Sequence, residues 1–561
     1  EIDFIEVKKI AYKYAIKNAF EHKSKAQIGA VVGKVKALFP EVDLSKAMPS
    51  IKEEVDKVNS LNETDLENEY NKFNESGFEL KQVEKEKTLP ELNWLKEGEK
   101  LITRSAPCPT GAMHFGHARP YILTDEYVKK YGGKYIMRFD DTDPKVKIPE
   151  KEMYQEFLND FNWLGIKIDS VSNQSDHLNR YYEIIERLIE MNQAYICSCE
   201  GEVWKDLIWK SKPCPCREKS IDEQKKEWQR MLNHEIKEGQ AVVRLKTDLT
   251  SKDSSLRDYW IAKVVDDPTK HPNVSTHDKH VWPSYNLASA VDDHDMNINF
   301  IIRGQEHIAN EEKQKILYSY FNWTYPHTMY HGKISKLGDM VLSKSKMKII
   351  MEKEGILRYD DPRMSTIKAF KRRGILPETI RKIINACGIG ISEVKIEMDM
   401  IAAFNKQFLG QVNQYPFFEE AAEIEIINCI NGTIENNGEK INITSPIQKF
   451  LINKNESKEF NPNEKYRLRN AFNIKINDVN EFSVSSNFIS YEKIKDIKSI
   501  DWIRSAIDVD VLMSDGKTKS GLSTISILKE QERNEIQLNG IGFVNIEKLT
   551  TEKVYCVFSH I

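Results

Sequence analysis

The sequence has no apolar run near the roughly 18 residues that a membrane span needs. Its opening stretch, "EIDFIEVKKIAYKYAIKNAF", lacks the uncharged apolar core of a signal peptide. Both absences point to a cytoplasmic protein with no membrane partner. Net charge is nearly missing too: −4 over 561 residues gives no global pull on nucleic acid. Screening confines such fields to about 8–10 Å, however, so a local basic stripe remains open. No repeat of fixed period is present, which argues against a solenoid or propeller. Cysteine is scarce, with eight in the chain, and half of it crowds into one window at Cys197, Cys199, Cys214 and Cys216. That distribution suits a metal site in a reducing compartment rather than a disulfide framework.

What is present is too long for one core, and the texture changes along the chain. Residues 1–98 carry apolar positions at helical spacing in "IAYKYAIKNAF" and "IKEEVDKVNSL", punctuated by Pro40, Pro49 and Pro90, and read as a helical N-terminal region. Residues 99–195 run strand, turn, helix, then "KYIMRFDDTDP"; a second such unit, "NINFIIRGQEH" followed by helix-like "ANEEKQKILYSYF", falls in 281–351. Strands alternating with helices predict a parallel sheet with crossovers. Residues 196–280, with the cysteine window, read as an insertion into that sheet domain. Helical signals return over 352–415 in "STIKAFKRRG" and "PETIRKIINAC". From 416 to 561, short alternating runs such as "DVDVLMSDGKTKSGLSTISILKE" predict antiparallel strands. The fold class is a multidomain α/β protein with an all-β tail.

Chemistry concentrates in "APCPTGAMHFGHARPYIL", residues 106–123. "LITRSA" is a strand, Pro107, Pro109 and Gly111 turn the chain, and "HARPYILTDEYVKKYGG" is helical, closed by Gly132 and Gly133. His114 and His117 then stand at a helix N-terminus at the carboxyl end of a parallel strand. Backbone N–H groups and the helix dipole favour anions there, so the imidazoles can donate to triphosphate oxygens. Gly116 would admit a flat base or ribose. Further on, "KLGDMVLSKSKMK" gathers Lys336, Ser343, Lys344, Ser345, Lys346 and Lys348 around Gly338 in a loop that could close over a phosphoryl group.

The two stretches together resemble the HIGH and KMSKS signatures of class I aminoacyl-tRNA synthetases, written here "HFGH" and "VLSKS". "TRSAPCPTGAMHFGHARP", "YIMRFDDTDP", "WPSYNLASAVDDHDMNINFIIRGQEH" and "YDDPRMSTIKAFKRRGI" are similar to the glutamyl and glutaminyl branch, and to its archaeal-type glutamyl members in particular. The likeness spans the chain. It implies a class I Rossmann-type catalytic domain, an inserted acceptor-end-binding domain, and C-terminal β-barrels that bind the anticodon. Three positions depart from the pattern, Cys108, Phe115 and Leu342, and none removes a charged group.

By this resemblance the catalytic groups are His114, His117 and Lys344. ATP is held by these with Pro107, Thr110, Gly111, Gly116, Gln305, Ser343 and Ser345, and Mg²⁺ accompanies it. Arg104 and Arg303 occupy the positions that recognise a side-chain carboxylate. Asp140 occupies the one that takes the α-ammonium, and Tyr285 and Ser289 line the amino-acid pocket; bacterial relatives have asparagine at the position of Ser289. A neutral amide against Arg303 would leave a buried charge unpaired, which favours glutamate over glutamine. The implied reaction is glutamate–tRNA ligation: an adenylate forms, then passes to the 3′-terminal adenosine of tRNA-Glu, with tRNA-Gln left open as a second acceptor. The branch attacks through the 2′ hydroxyl, needs tRNA in place before activation, and is monomeric.

Cys197-Ser-Cys199 and Cys214-Pro-Cys216 offer four thiolates, enough for a closed structural Zn²⁺ site. Arg363, Lys371, Arg372 and Arg373, with Lys368, suit phosphate contacts along the tRNA, although such a run is ordinarily a solvated face. Trp502, Phe482 and Phe488 in the tail offer rings for anticodon stacking, with core packing the competing fate. Two rivals stand beside this reading. A glutaminyl-tRNA synthetase is opposed by Arg303. An HxGH nucleotidyltransferase acting on a small molecule would have no use for the tail or the cysteine insertion.

Overall fold

The computed structural model describes residues 4–21, 25–38, 42–75, 89–436 and 439–561. It divides into two compact units, Glu1–Thr88 and Leu89–Ile561. In the first, helices α1 (Phe4–Glu21), α2 (Ile28–Leu38), α3 (Leu44–Asn59) and α4 (Glu63–Glu75) bury residues three or four apart, among them Val7, Ile10 and Ala11, Val31 and Val35, and Ala47, Ile51 and Val55. This is the stripe that lets short helices gain their stability from packing. Pro49, read above as punctuation, lies inside α3. Its side chain is on the exposed face, where water can serve the carbonyl that its missing N–H leaves open. Pro40 lies outside the described residues.

The second unit is built on a parallel sheet. Strands β1 (Leu101–Ser105), β2 (Gly133–Phe139) and β3 (Ser170–Asn173) are joined through helices α5 (Phe115–Tyr131) and α6 (Lys151–Trp163), and α7 (Leu178–Glu190) leaves the sheet. The chain then forms a separate antiparallel sheet of β4 (Ala194–Cys197), β5 (Val242–Leu245), β6 (Trp260–Val264) and β7 (Val281–Pro283), with helices α8 (Gly201–Trp209) and α9 (Ile221–Leu232) between its first two strands. It returns through α10 (Tyr285–Asp295) to β8 (Phe300–Gly304), α11 (Ile308–Tyr320) and β9 (His327–His331). The parallel order is β3-β2-β1-β8-β9, so β1, the first strand in sequence, is central and the carboxyl ends of all five open on one side.

Two local readings are corrected. Gly132 ends α5 at φ +71, but Gly133 opens β2, where any Cβ would lie 2.0 Å from the Leu101 carbonyl oxygen. The lysine-rich stretch is also only half loop. After β10 (Ile334–Leu337), Lys344 begins helix α12 (Lys344–Glu354), fixed by Met347 in a small cluster with Ile356, Met364 and Ala369. Strand β4 runs across the expected boundary at 195/196, and α12 across that at 351/352.

Beyond it stand α13 (Ile367–Arg372), α14 (Pro377–Cys387), β11 (Val394–Ile396) and α15 (Met398–Leu409), and then two barrel-like sheets of six and seven strands. The predicted hairpin in "DVDVLMSDGKTKSGLST" is present as Ala506–Leu512 against Thr518–Thr524. No helix among the described residues is long and apolar enough to cross a membrane.

Candidate active site

The turn after β1 is held by backbone bonds that the proline spacing permits. The Pro107 carbonyl accepts from Asp140 N at 3.0 Å and the Pro109 carbonyl from Glu150 N at 2.8 Å. Gly111 takes φ +134, open only to glycine, with the Tyr359 hydroxyl 3.3 Å from where a Cβ would stand. His114 then caps α5: its backbone is extended and its Nδ1 accepts the Gly116 amide at 3.1 Å. A Cβ on Gly116 would sit 3.0 Å from the His114 ring, so this glycine first serves to let the imidazole fold back. With Nδ1 accepting, the proton resides on Nε2, which becomes a donor.

His114 and His117 stack at 3.6 Å. Burial, with Lys344 nearby, lowers His114 to about 3 and holds His117 well below the ordinary imidazole range, so both rings are neutral at pH 7. Lys344 is the first residue of α12. Its Nζ donates to the Cys108 carbonyl at 2.8 Å, and burial lowers its pKa to about 8.

Beside this centre lies a buried charge network. Both Nε and Nη2 of Arg104 bond Asp293, at 2.9 and 3.0 Å. Arg138, wholly buried, reaches Asp293 at 2.5 Å, Asp140 at 3.1 Å and the Ser289 hydroxyl at 2.9 Å. Burial raises Asp140 to about 6, against the pull of Arg138 and Arg104. Arg303 donates to Gln314 at 3.1 Å, to the Tyr325 hydroxyl at 2.7 Å and to Glu311 at 3.2 Å. Its charge is therefore shared with a carboxylate instead of standing free, as a buried guanidinium requires. Glu311 is itself met by Lys315 at 2.7 Å, which leaves this trio with one net positive charge.

A cleft of about 2140 Å³ within the second unit takes in both groups of residues. Its wall includes the predicted nucleotide-side residues Pro107, Thr110, His114, Gly116 and His117, with Ser343, Lys344 and Ser345, and the amino-acid-side residues Arg104, Asp140, Tyr285 and Arg303. Three predicted contacts are not in the wall. Gly111 is buried within the turn, Gln305 begins the short 3-10 turn after β8, and Ser289 lies beneath the floor as acceptor for Arg138. Sequence reasoning assigned no part to Arg138 or Asp293. A signal for both existed: Arg138 is a charge in an otherwise apolar, buried strand, and Asp293 lies one helical turn from Ser289.

The basic run does not form one face. Lys371 is exposed. Arg363 is held by Asp361 and Glu354, and Arg372 pairs with Glu547 at 2.6 and 3.1 Å. Arg373, taken from sequence as a phosphate contact, is 2% exposed and donates to the carbonyls of Phe558 and Ser559 at 3.2 and 2.7 Å. In the tail, Trp502 is buried with its indole bonded to the Arg469 carbonyl, and Phe488 packs on Phe472, whereas Phe482 is 68% exposed.

The four clustered thiols are brought together. Cys197 ends β4, Cys216 lies in a 3-10 turn, and the Gln224 amide ties the two segments by accepting from Ile196 N and donating to the Cys216 carbonyl. All four sulfurs lie within 4.8 Å of one another, with Cys197–Cys214 at 3.9 Å and Cys199–Cys216 at 3.6 Å. Tetrahedral thiolate ligation of zinc at about 2.3 Å places sulfurs about 3.8 Å apart, so the set fits such an ion.

The family profile described as tRNA synthetases class I (E and Q), catalytic domain, matches residues 100–411. A glutamate–tRNA ligase of Pyrococcus abyssi is 38% identical over 99% of this chain and 100% of its own length. Those of Pyrococcus furiosus, at 37%, and Sulfurisphaera tokodaii, at 38%, cover the same shares.

Proposed function

This chain belongs to the class I tRNA synthetases of the E and Q kind, and we propose that it joins L-glutamate to the 3′-terminal adenosine of tRNA-Glu in a reaction driven by ATP. The observation that carries the reading is the shared cleft, in which Arg303 and Asp140 stand in the same wall as His114, His117 and Lys344. Relatives matched over their whole length bear the same activity in their names.

In the first step an oxygen of the glutamate α-carboxylate attacks the α-phosphorus of ATP, and the bond to pyrophosphate breaks. The nucleophile is already ionised, so the protein's task is to position it and to meet the charge that builds on the phosphates. Nε2–H of His114 and Nζ of Lys344 are the donors aimed at that charge, with His117 stacked behind. In the second step a ribose hydroxyl oxygen of the terminal adenosine attacks the adenylate carbonyl carbon, AMP leaves, and the hydroxyl proton is released. Arg104 and Arg303 meet the substrate side-chain carboxylate, Asp140 the ammonium, and Tyr285 flanks them. Mg²⁺ accompanies the ATP phosphates and would spread their charge.

The four cysteines would hold Zn²⁺, which would tie helix α8 and the Cys214–Cys216 turn to the inserted sheet. That sheet receives the acceptor end, Lys371 and Arg363 meet phosphates, and the sheets after residue 414 read the anticodon. The chain acts as a monomer in the cytosol, a reading supported for the compartment alone by free thiols that suit a reducing environment.

The test is purified protein with ATP–Mg²⁺, labelled glutamate or glutamine, and separate tRNA-Glu and tRNA-Gln transcripts. Glutamate is expected on tRNA-Glu, and the tRNA-Gln arm decides whether that acceptor is also used. Arg303→Cys should lower kcat/KM for glutamate by about 100-fold, the effect of leaving a buried charge unmatched. Attachment of glutamine in place of glutamate, or unchanged glutamate charging by Arg303→Cys, overturns the proposal.

A further inference from the structure

Some of the buried polar side-chain atoms without a partner among the described residues belong to the wall of the cleft, and Gln174 holds two of them: neither its Oε1 nor its Nε2 is hydrogen-bonded. The side chain is 0% exposed, so bulk water does not serve it. Every neighbour in its short 3-10 turn (Gln174–His177) is engaged. Ser175 bonds Asp141 through N and Oγ at 2.7 and 2.8 Å. Asp176 accepts from Asn173 and Asn273 at 3.0 and 2.8 Å, and His177 meets Asp292 at 3.0 Å. The turn is thus fixed on both sides of one amide that the fold leaves open. Buried polar groups are ordinarily paired, and the exceptions cluster where a ligand supplies the partner.

The sheet register says which ligand. Phe139 of β2 pairs with Asn173 of β3, so Asp140 and Gln174 are the next residues at the carboxyl ends of adjacent strands. We propose that Gln174 binds the head group of the amino-acid substrate, its Oε1 accepting from the α-ammonium alongside Asp140 and its Nε2 donating to the α-carboxylate. An amide presents one acceptor and one donor side by side, which matches an ammonium and a carboxylate borne by one carbon. A polyphosphate offers acceptors alone and would leave Oε1 open. The inference rests on the amino-acid ligase reading given above and deepens it by one contact to the substrate head group.

The experiment compares the full-length protein with Gln174→Met, close in shape but unable to hydrogen-bond, and with Gln174→Glu, which keeps an acceptor and loses the donor. Charging of tRNA-Glu transcript is measured with glutamate and ATP varied in turn, and melting with and without glutamate. Both variants should raise KM for glutamate about tenfold or more, the loss of one or two hydrogen bonds to charged groups, with KM for ATP within about twofold. Without glutamate Gln174→Met should melt at or above the parent, because it removes an unpaired buried amide, and its melting rise on adding glutamate should shrink. An unchanged KM for glutamate overturns the inference. So does a rise confined to ATP, which would assign the amide to the nucleotide, or a lower melting point with all constants moved together, which would make Gln174 structural. Failure of the parent protein to charge glutamate at all is a different result; it defeats the ligase reading and this inference with it.

Discussion

Nδ1 of His114 accepts the Gly116 amide and burial lowers the ring to about 3, so it faces the cleft as a neutral donor at neutral pH. The titrating charge at the nucleotide end is then Lys344, and the sign of its effect follows from its environment. Burial lowers it to about 8 from the ordinary lysine range, so the free protein carries the charge below that pH and loses it above. Because kcat/KM reports the free enzyme, kcat/KM for ATP should fall about tenfold per pH unit above about pH 8, while the limb in kcat moves higher once polyphosphate stabilises the ammonium. Lys344→Arg, charged throughout, should flatten that limb even at reduced rate. Initial rates from pH 6.5 to 9.5 check this; a flat profile in the parent would remove Lys344 from phosphate binding. No acidic limb from His114 is expected near neutrality, since its pKa is about 3.

At the scale of elements, the join between α13 and the last strand, Lys553–His560, rests on few groups. Arg373 donates to two carbonyls of that strand, and Asn545 of the neighbouring strand, Gly542–Leu549, donates back to the Arg372 carbonyl at 2.8 Å. Arg373→Ala strands both carbonyls in a buried place at about 1–3 kcal/mol each. It should lower the thermal midpoint and speed proteolysis near residue 410, leaving KM for glutamate within about twofold; an unchanged midpoint would show that the join does not depend on this side chain. The same pair of arginines explains what the sequence can and cannot reveal. Arg372 and Arg373 are adjacent and identical in type, and the carbonyls that bury the second lie 185 and 186 residues away. Local pattern carries no trace of them. The β1 turn into α5 was readable because its strand, prolines and capping histidine are contiguous, and the thiol pairs because their spacing is itself the signal. Helix α12 was hidden because Met347 is its single fully buried residue and its partners are supplied from beyond the helix. Gln174 was hidden because its meaning is a missing bond, visible only once its neighbours are placed.

Across the whole molecule the cleft runs from the stacked imidazoles to the thiol lobe, where its wall includes Trp204, Trp209 and Trp260 with Lys205 and Arg257. Trp209 is 73% exposed, and Arg244 covers Trp204 at 3.4 Å. Helix α8, which carries Trp204 and Trp209, starts two residues beyond Cys199. The inserted sheet has its own core, with Ile196, Val243, Leu245 and Trp228 in one cluster, but helix α8 reaches the thiols through a small one, Tyr195 and the cysteines with Trp204, Leu207 and Val242 against them, where a cross-link would add most. If a zinc ion supplies that cross-link, elemental analysis should find one equivalent per chain, and Cys214→Ser should lose it. The far wall of the cleft would then loosen while the imidazole end, held by its own sheet, stays formed. KM for tRNA should accordingly rise about tenfold or more, with the KM values for glutamate and ATP within about twofold. Loss of metal with an unchanged KM for tRNA would separate the lobe from RNA binding, and a parent protein that purifies without zinc would show that the four thiols pack without an ion.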